Sequence, residues 1–192
     1  MKRNLLYGVG INDAHYVVYP TINGRRVMCP FYGTWRHMFE RSYSDKYHLL
    51  HPTYKGCSVV EEWHTFSNFR AWMQTQDWEG KELDKDLKVF GNKVYGPDTC
   101  MFIPSLINTF INVPILGKSK LGVTYYPYRT KNKYAVKIRK YGKHYHVGVF
   151  NTEDEAHEAY NEKRKEYMLE VAENSEPKIK KLLLKLIEGQ FK

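Results

Sequence analysis

The sequence predicts an α+β fold made of two modules. In the first part of the chain, large apolar residues recur at helical spacing around a short strand–strand–helix stretch. In the second part, three short β-rich segments precede a long helical pattern. Residues 120–150 contain eight Lys or Arg and no acid, and the next segment, TEDEAHEAYNEKRKEYM, is rich in acids. Pro114 and Gly117 punctuate the chain between the two parts. We therefore expect modules at residues 1–113 and 119–170, a linker at 114–118 and an amphipathic C-terminal helix at 171–192.

Composition predicts a folded protein that binds polyanions. The 192-residue chain contains 42% hydrophobic and 15% aromatic residues, which excludes a disordered protein. Its formal net charge is +9 and its pI is near 9.3, so nucleic acids are the expected class of partner.

The cysteines are scattered and odd in number: Cys29, Cys57 and Cys100. This pattern argues against a disulfide framework and favours a reducing compartment, while a structural zinc held by them and a histidine stays an alternative. No apolar run approaches the about 18 residues of a membrane span, and the N-terminal apolar run is too short for a signal peptide. We expect a cytoplasmic protein with no membrane partner.

The first module begins with two predicted helices. Trp35, Met38 and Phe39 share one face of a short amphipathic helix. VVEEWHTFSNFRAWMQTQ repeats this spacing and predicts one longer helix, whose aromatic stripe is typical of core packing.

Residues 83–103 predict two strands joined by a loop that contains the turn signals Gly91-Asn92 and Gly96-Pro97. The next segment, PSLINTFI, predicts a helix with Pro104 in its first turn. The order is therefore strand, strand, helix.

The second module predicts a sheet with one basic face. GVTYYPY, KYAVKIRKY and HYHVGVF read as three strands, and alternation separates Lys137 and Arg139 from Val136 and Ile138. Cations neutralise phosphates and planar side chains reach base edges, so the basic face predicts a nucleic-acid platform. A solvated lysine-rich face and an RNA-binding face are the alternatives. By the same period of two, the neighbouring strands add Thr124, Tyr126, Tyr128, His144 and His146 to the basic face.

Two helices complete the second module. NTEDEAHEAYNEKRKEYM predicts a helix capped by Asn151 or Thr152, with acids at its positive end. EPKIKKLLLKLIEGQFK predicts an amphipathic helix that docks onto the body of the protein or onto a second copy. A homodimer through this helix is therefore one expected partner.

Several motifs of the second module resemble a known DNA-binding domain. They are the opening Gly122-Val123, the central YAVKIR, and the later run of Gly148, Phe150, Thr152, Ala156, Ala159 and Tyr160. Together they resemble the ethylene-response-factor type (Apetala-two) domain over about 50 residues. The resemblance implies a βββα domain that reads duplex DNA with its outer sheet face, at the positions listed above. In phage and bacterial homing endonucleases, such domains occur joined to an HNH-type nuclease.

The first module carries a second resemblance, to the HNH nucleases of that kind. Leu-Asp-Lys-Asp at residues 83–86 resembles their first strand, and GNKVYGPDTCMF resembles their loop and second strand. The resemblance implies a ββα unit with one Mg²⁺ or Mn²⁺ ion, held by Asp84 with Asn108 and Asp86 as partners. Lys85 stands where relatives carry the general-base histidine, so Lys85 and His64 are the candidate catalytic residues.

Alternatives remain open at this site. His48 and His51 in the preceding loop are further candidate bases, and an acid followed by D-x-K can be drawn through Asp84, Asp86 and Lys88. A charged turn that binds no metal is the third interpretation.

The function we expect is a sequence-directed endonuclease of the homing or nicking type that hydrolyses double-stranded DNA. It would work in a bacterial cytoplasm, as a phage or bacterial protein, without a small-molecule cofactor. The alternative is a catalytically inactive DNA-binding protein that acts as a regulator.

Overall fold

The computed structural model describes residues 5–111 and 120–190, and the predicted linker at 114–118 lies outside the described residues. Helices make up 44% and strands 21% of the structure, and the sheets are small, so the predicted α+β class is confirmed at that level. The chain divides into two compact units, Met1–Ile103 and Pro104–Lys192.

The first unit combines three helices with short strands. Its helices are α1 (Pro30–Tyr43), α2 (Asp45–Leu50) and α3 (Phe66–Gln74). The strands form three two-stranded pairs, in which β1 lies antiparallel to β2, β3 lies parallel to β5, and β4 is bonded to β6. Their bounds are β1 Thr21–Ile22, β2 Arg25–Arg26, β3 Ser58–Val59, β4 Lys81–Asp84, β5 Val94–Tyr95 and β6 Met101–Pro104.

The core of this unit is aromatic, as the helical spacing predicted. Trp35 and Phe39 of α1 pack one turn apart, with ring centroids 4.7 Å from each other. The indole N–H of Trp35 donates to the carbonyl of Trp63 across 2.7 Å, so this buried polar group is satisfied inside the core. Phe66 and Phe69 of α3 are also buried there.

The single long helix predicted for residues 59–76 is wrong, because the chain breaks at Thr65. Residues Glu61–His64 form a 3₁₀ turn, and Thr65 is extended with φ −92° and ψ 124° before α3 begins. Ile11 lies beside this break: its N–H donates to the His64 carbonyl (2.7 Å), and its carbonyl accepts from Phe66 N–H (3.0 Å). In a continuous helix, the His64 carbonyl and the Phe66 N–H would both bond to other residues of the helix. Here both bond to Ile11 instead, and the helix is interrupted.

The second unit contains the predicted three-stranded sheet. The strands β7 (Val123–Tyr125), β8 (Tyr134–Lys140) and β9 (Lys143–Phe150) run antiparallel in the order β7-β8-β9. The register of β9 shifts between the partners of Val136 and Lys137, which leaves Val147 as an extra residue in the ladder. Such a bulge increases the local twist of the sheet.

Three helices accompany this sheet: α4 (Ser105–Ile111), α5 (Glu153–Glu173) and α6 (Pro177–Gln190). α5 begins at a capping box, in which the Thr152 hydroxyl accepts from Glu155 N–H and the Glu155 carboxylate accepts from Thr152 N–H. It covers one face of the sheet, and both α4 and α6 contact it. None of the helices within residues 5–111 and 120–190 is long and apolar enough to span a membrane. The apolar residues of α6 that are buried in the unit are Ile179, Leu183, Leu186 and Ile187.

Gly122 lets α5 approach the first strand of the sheet closely. Its φ of +77° lies in the left-handed region, and an ideal Cβ at this position would lie 2.0 Å from Cδ2 of Tyr160 on α5. The Tyr160 ring is nearly buried and occupies the volume that any side chain would need.

We predict that Gly122→Ala destabilises the second unit by about 3 kcal/mol or more, because backbone strain and a steric clash add. The matched control is Gly142→Ala, which also has φ +77° but meets no atom within 4 Å. It should lose about 1–2 kcal/mol from strain alone. All four tryptophans lie in the first unit, so tryptophan fluorescence would not report on the second unit. Urea unfolding should therefore be followed by far-UV circular dichroism. Equal losses in the two variants would show that the contact with Tyr160 does not matter.

Candidate functional site

Strand β8 sorts its side chains between a covered face and an exposed face. Val136 and Ile138 are buried on the side of α5, whereas Lys137 and Arg139 are exposed on the other side. The structure therefore confirms the predicted alternation of these four residues.

The neighbouring strands add histidines and a threonine to the exposed side. Lys137 lies opposite His146 and Arg139 lies opposite His144, so the four exposed side chains form two cross-strand pairs. At the other end of the sheet, Thr124 lies opposite Ala135. Directly opposed residues have Cα atoms about 5 Å apart, so the two cations and the two imidazoles share a small area. We call this surface the open face: Thr124, Lys137, Arg139, His144 and His146.

Tyr126 and Tyr128 lie in the loop that leads from β7 to β8. β7 ends at Tyr125 and β8 begins at Tyr134. Their rings meet edge to face with centroids 5.6 Å apart, and Tyr128 is 76% exposed. The period-two prediction for these two residues assumed a longer strand.

Sequence reasoning did not single out Arg129, which joins this aromatic pair. Its guanidinium lies 4.6 Å from the centroid of the Tyr126 ring, a cation–π distance. A turn in which Arg129 N–H donates to the Tyr126 carbonyl brings the two side chains together. The sequence shows that Tyr126 and Arg129 are three residues apart. That spacing alone does not predict that their side chains meet, because the meeting depends on the turn.

Two lysines of the basic segment point away from the open face. Lys140 pairs with Glu170 of α5, and its ammonium lies 4.3 Å from the Tyr167 ring centroid. Lys120 pairs with Asp154 at the start of α5. These acids of α5 therefore neutralise part of the basic run.

Asp84, the predicted first metal ligand, ends β4 and is only 3% exposed. Its Oδ1 accepts from the N–H groups of Asp86 (3.0 Å) and Leu87 (2.7 Å), which fixes the turn that follows the strand. Burial raises the pKa of the Asp84 carboxyl from its usual 3.8 to about 6, although the two amide donors act in the opposite direction.

Lys85 is also buried, with 6% of its surface exposed. Its Nζ donates to both carboxylate oxygens of Asp86 (2.8 Å each) and to the carbonyl of Asn92 (2.7 Å). An ammonium that donates to three acceptors has no lone pair with which to accept a proton. In this arrangement Lys85 neutralises Asp86 and links the start of the loop to Asn92, which is a structural role.

The candidate histidines have contacts within the packing of the first unit. The Nε2 of His64 lies 3.0 Å from the Val59 carbonyl, and that of His48 lies 2.8 Å from the Arg41 carbonyl. The His51 ring packs on Tyr47 with centroids 4.4 Å apart.

The predicted metal ligands do not fit a Mg²⁺ or Mn²⁺ site as they are arranged. Both oxygens of Asp86 accept from the ammonium of Lys85, which occupies the positions that a metal ion would need. Within residues 5–111 and 120–190, no three His, Cys, Asp or Glu side chains are grouped so that they could hold a metal ion. Lys88, from the alternative D-x-K arrangement, donates to the carbonyl of Pro97 (3.2 Å). We derive no catalytic step through a metal.

No family model matches this chain, and comparison with curated proteins and with solved structures gave no match either. A functional assignment therefore depends on the open face and on the turn formed by Asp84, Lys85 and Asp86.

We predict that Asp84 makes the first unit less stable as the pH rises from about 4 to about 6. The folded state keeps a proton on Asp84 that the unfolded chain releases, so the free energy of unfolding falls by on the order of 3 kcal/mol over this range. Asp84→Asn retains an oxygen acceptor and should remove this part of the pH dependence. Urea unfolding followed by tryptophan fluorescence measures it.

The matched control for this prediction is Asp98→Asn, which changes an exposed acid in the same segment. It should keep the pH dependence of the wild type. A parallel pH profile for Asp84→Asn and the wild type would contradict the raised pKa.

Proposed function

We propose that the protein binds double-stranded DNA through the open face of its second unit. The observation that carries the proposal is the pair of cross-strand contacts, Lys137 with His146 and Arg139 with His144, exposed on one side while α5 covers the other. The strand-bearing residues 120–150 contain no acid, so the exposed cations suit a polyanion, and the neighbouring planar side chains suit base edges.

The dimensions of the sheet support a duplex as the partner. Three strands spaced about 4.8 Å apart are roughly 10 Å wide, and the major groove of B-form DNA is about 12 Å wide. In this arrangement Arg139 can donate two hydrogen bonds to a guanine, and Lys137 can neutralise a phosphate. The loop that carries Tyr126 and Arg129 lies at the opposite end of the sheet from Arg139, and Arg129 can contact the DNA backbone there.

We predict that Lys137→Ala combined with Arg139→Ala weakens duplex binding by about tenfold or more at low salt. The slope of log affinity against log salt concentration should also fall by about 1, because the phosphate contact of Lys137 no longer releases counterions. Fluorescence anisotropy over a salt series measures both quantities.

The matched control is Lys140→Ala, which removes a cation from the same strand that pairs with Glu170. It should leave the affinity and the salt slope close to those of the wild type. Unchanged binding in the double variant, or an equal loss in Lys140→Ala, would contradict the assignment to the open face. Competition between duplex DNA and duplex RNA tests the alternative partner, since the deep and narrow major groove of RNA excludes a sheet.

A metal-dependent endonuclease is our second proposal, with a regulator that only binds DNA as its alternative. The observation that favours it is the buried Asp84 with its raised pKa, because perturbed carboxyl groups concentrate at functional sites. A metal ion at Asp86 would have to displace the Lys85 ammonium, so the resting arrangement opposes it.

If this second proposal holds, plasmid DNA should be nicked or linearised with Mg²⁺ or Mn²⁺, and Asp84→Ala should abolish this cleavage. Asp98→Ala, which removes an exposed acid from the same segment, should cleave like the wild type. Lys85→Ala then tells whether the lysine takes part in the reaction or only in folding. No cleavage by the wild type, together with intact duplex binding, would leave the regulator as the function.

Two further expectations stay predictions. A homodimer through α6 would need its half-buried Leu182 and Leu184, because its four buried apolar residues are covered within the unit. A cytoplasmic location also remains to be measured.

A further inference from the structure

The β1–β2 hairpin projects from the first unit, and each of residues 21–27 is exposed. In the register of the ladder, Thr21 lies opposite Arg26 and Ile22 lies opposite Arg25. Since neighbouring positions on a strand point to opposite faces, one arginine extends from each face of the hairpin. We call these seven residues the arm.

The turn and the base of the arm hold it in one conformation. Asn23 and Gly24 link the two strands with φ values of +50° and +75°. Two positive φ values in a two-residue hairpin are the pattern of a type I′ turn, whose twist matches that of the paired strands. At the base, the N–H of Cys29, the residue before α1, donates to the Val18 carbonyl (2.9 Å). An arm that is ordered before a partner arrives loses less entropy when it binds.

The arm carries positive charge in a segment without acids. Residues 14–39 contain three Arg and two His but no Asp or Glu. Within residues 5–111 and 120–190, neither Arg25 nor Arg26 takes part in an ion pair or a side-chain hydrogen bond. A guanidinium keeps its charge at neutral pH, and its geometry matches that of phosphate oxygens. The arm is therefore a stiff cationic projection that suits a phosphate-rich partner.

The position of the two cations selects a groove over a flat surface. A membrane or a flat protein patch meets only one face of a ribbon, whereas a DNA groove has phosphates along both walls. Sheets stack about 10 Å apart, so a ribbon with its side chains is about 10 Å thick, and the major groove is about 12 Å wide. From the turn to Arg26 the arm is roughly 7 Å long, close to the groove depth of about 8.5 Å. The minor groove, about 6 Å wide, is too narrow for it.

We propose that the arm enters the major groove of duplex DNA tip first, with Arg25 and Arg26 contacting phosphates of opposite strands. Asn23 at the tip then reaches the base edges, where an asparagine can form two hydrogen bonds with adenine. Phosphate contacts on both sides fix the register of the arm on the duplex. This inference rests on the proposed duplex binding, and it assigns a DNA contact to the first unit.

Photocrosslinking tests the position of the arm directly. The probe p-benzoylphenylalanine, which attaches to neighbouring C–H bonds under near-UV light, replaces Ile22 in the full-length chain. Ile22 is 53% exposed, so the site accommodates the larger side chain. Mixed with a duplex at saturating concentration, this variant should form a covalent protein–DNA adduct. The matched control carries the probe at Leu49 of α2, which is 82% exposed, and should form little adduct.

Replacement of both arginines tests what they contribute to binding. Arg25→Ala combined with Arg26→Ala should weaken duplex binding by about tenfold or more at low salt and lower the salt slope by about 2, because two phosphate contacts are lost. Arg25→Lys combined with Arg26→Lys keeps both charges and should retain the slope. The matched control is Lys46→Ala combined with Lys55→Ala, which removes two exposed cations from other parts of the first unit. It should bind like the wild type.

The outcomes separate the arm from the proposed function. Duplex binding with no adduct at Ile22, or with equal adducts at Ile22 and Leu49, would overturn the arm and leave the proposed function standing. An unchanged salt slope in the double alanine variant of the arm, or an equal fall in the lysine control, would also overturn the arm. If the wild type does not bind the duplex at all, the proposed function fails and the arm fails with it.

Discussion

The second unit depends on one constraint: a three-stranded sheet with a single covering helix can bury only one of its faces. Alternation along β8 determines which face that is, since Val136 and Ile138 are buried and Lys137 and Arg139 remain in water. The close approach at Gly122 lets α5 reach the sheet. The exposed cations are therefore a consequence of the same pattern that builds the core.

The two units use charge in opposite ways. In the first unit, Lys85 and Asp86 form an ion pair that is largely shielded from solvent. The Asp84 carboxyl accepts hydrogen bonds from two backbone amides. Breaking such a buried pair leaves an uncompensated charge, so these groups contribute to holding the loop in one conformation. On the open face, Lys137 and Arg139 are exposed to water, where the two cations repel each other only weakly.

Local patterns in the sequence were sufficient for the parts of the fold that depend on near neighbours. The faces of β8 follow from a period of two, and the cap at Thr152 follows from the residue types that begin a helix. The break at Thr65 could not be predicted, because its hydrogen-bond partner is Ile11, far away in the sequence. The contact of Lys85 with Asn92 and that of Arg129 with Tyr126 were missed because each depends on a turn geometry that residue types alone do not specify.

On the proposal that the open face binds a duplex, the bulge at Val147 would limit how much of that duplex the sheet can follow. Extra local twist rotates the end that carries Lys137 and Arg139 away from the plane of Thr124 and Ala135. Lys137 and Arg139 are two residues apart on one strand, roughly 7 Å, which is close to the length of two stacked base pairs. A twisted sheet of this size would therefore have a short footprint on the proposed duplex. If the protein selects one site in a genome, other surfaces of the chain must lengthen the recognised sequence.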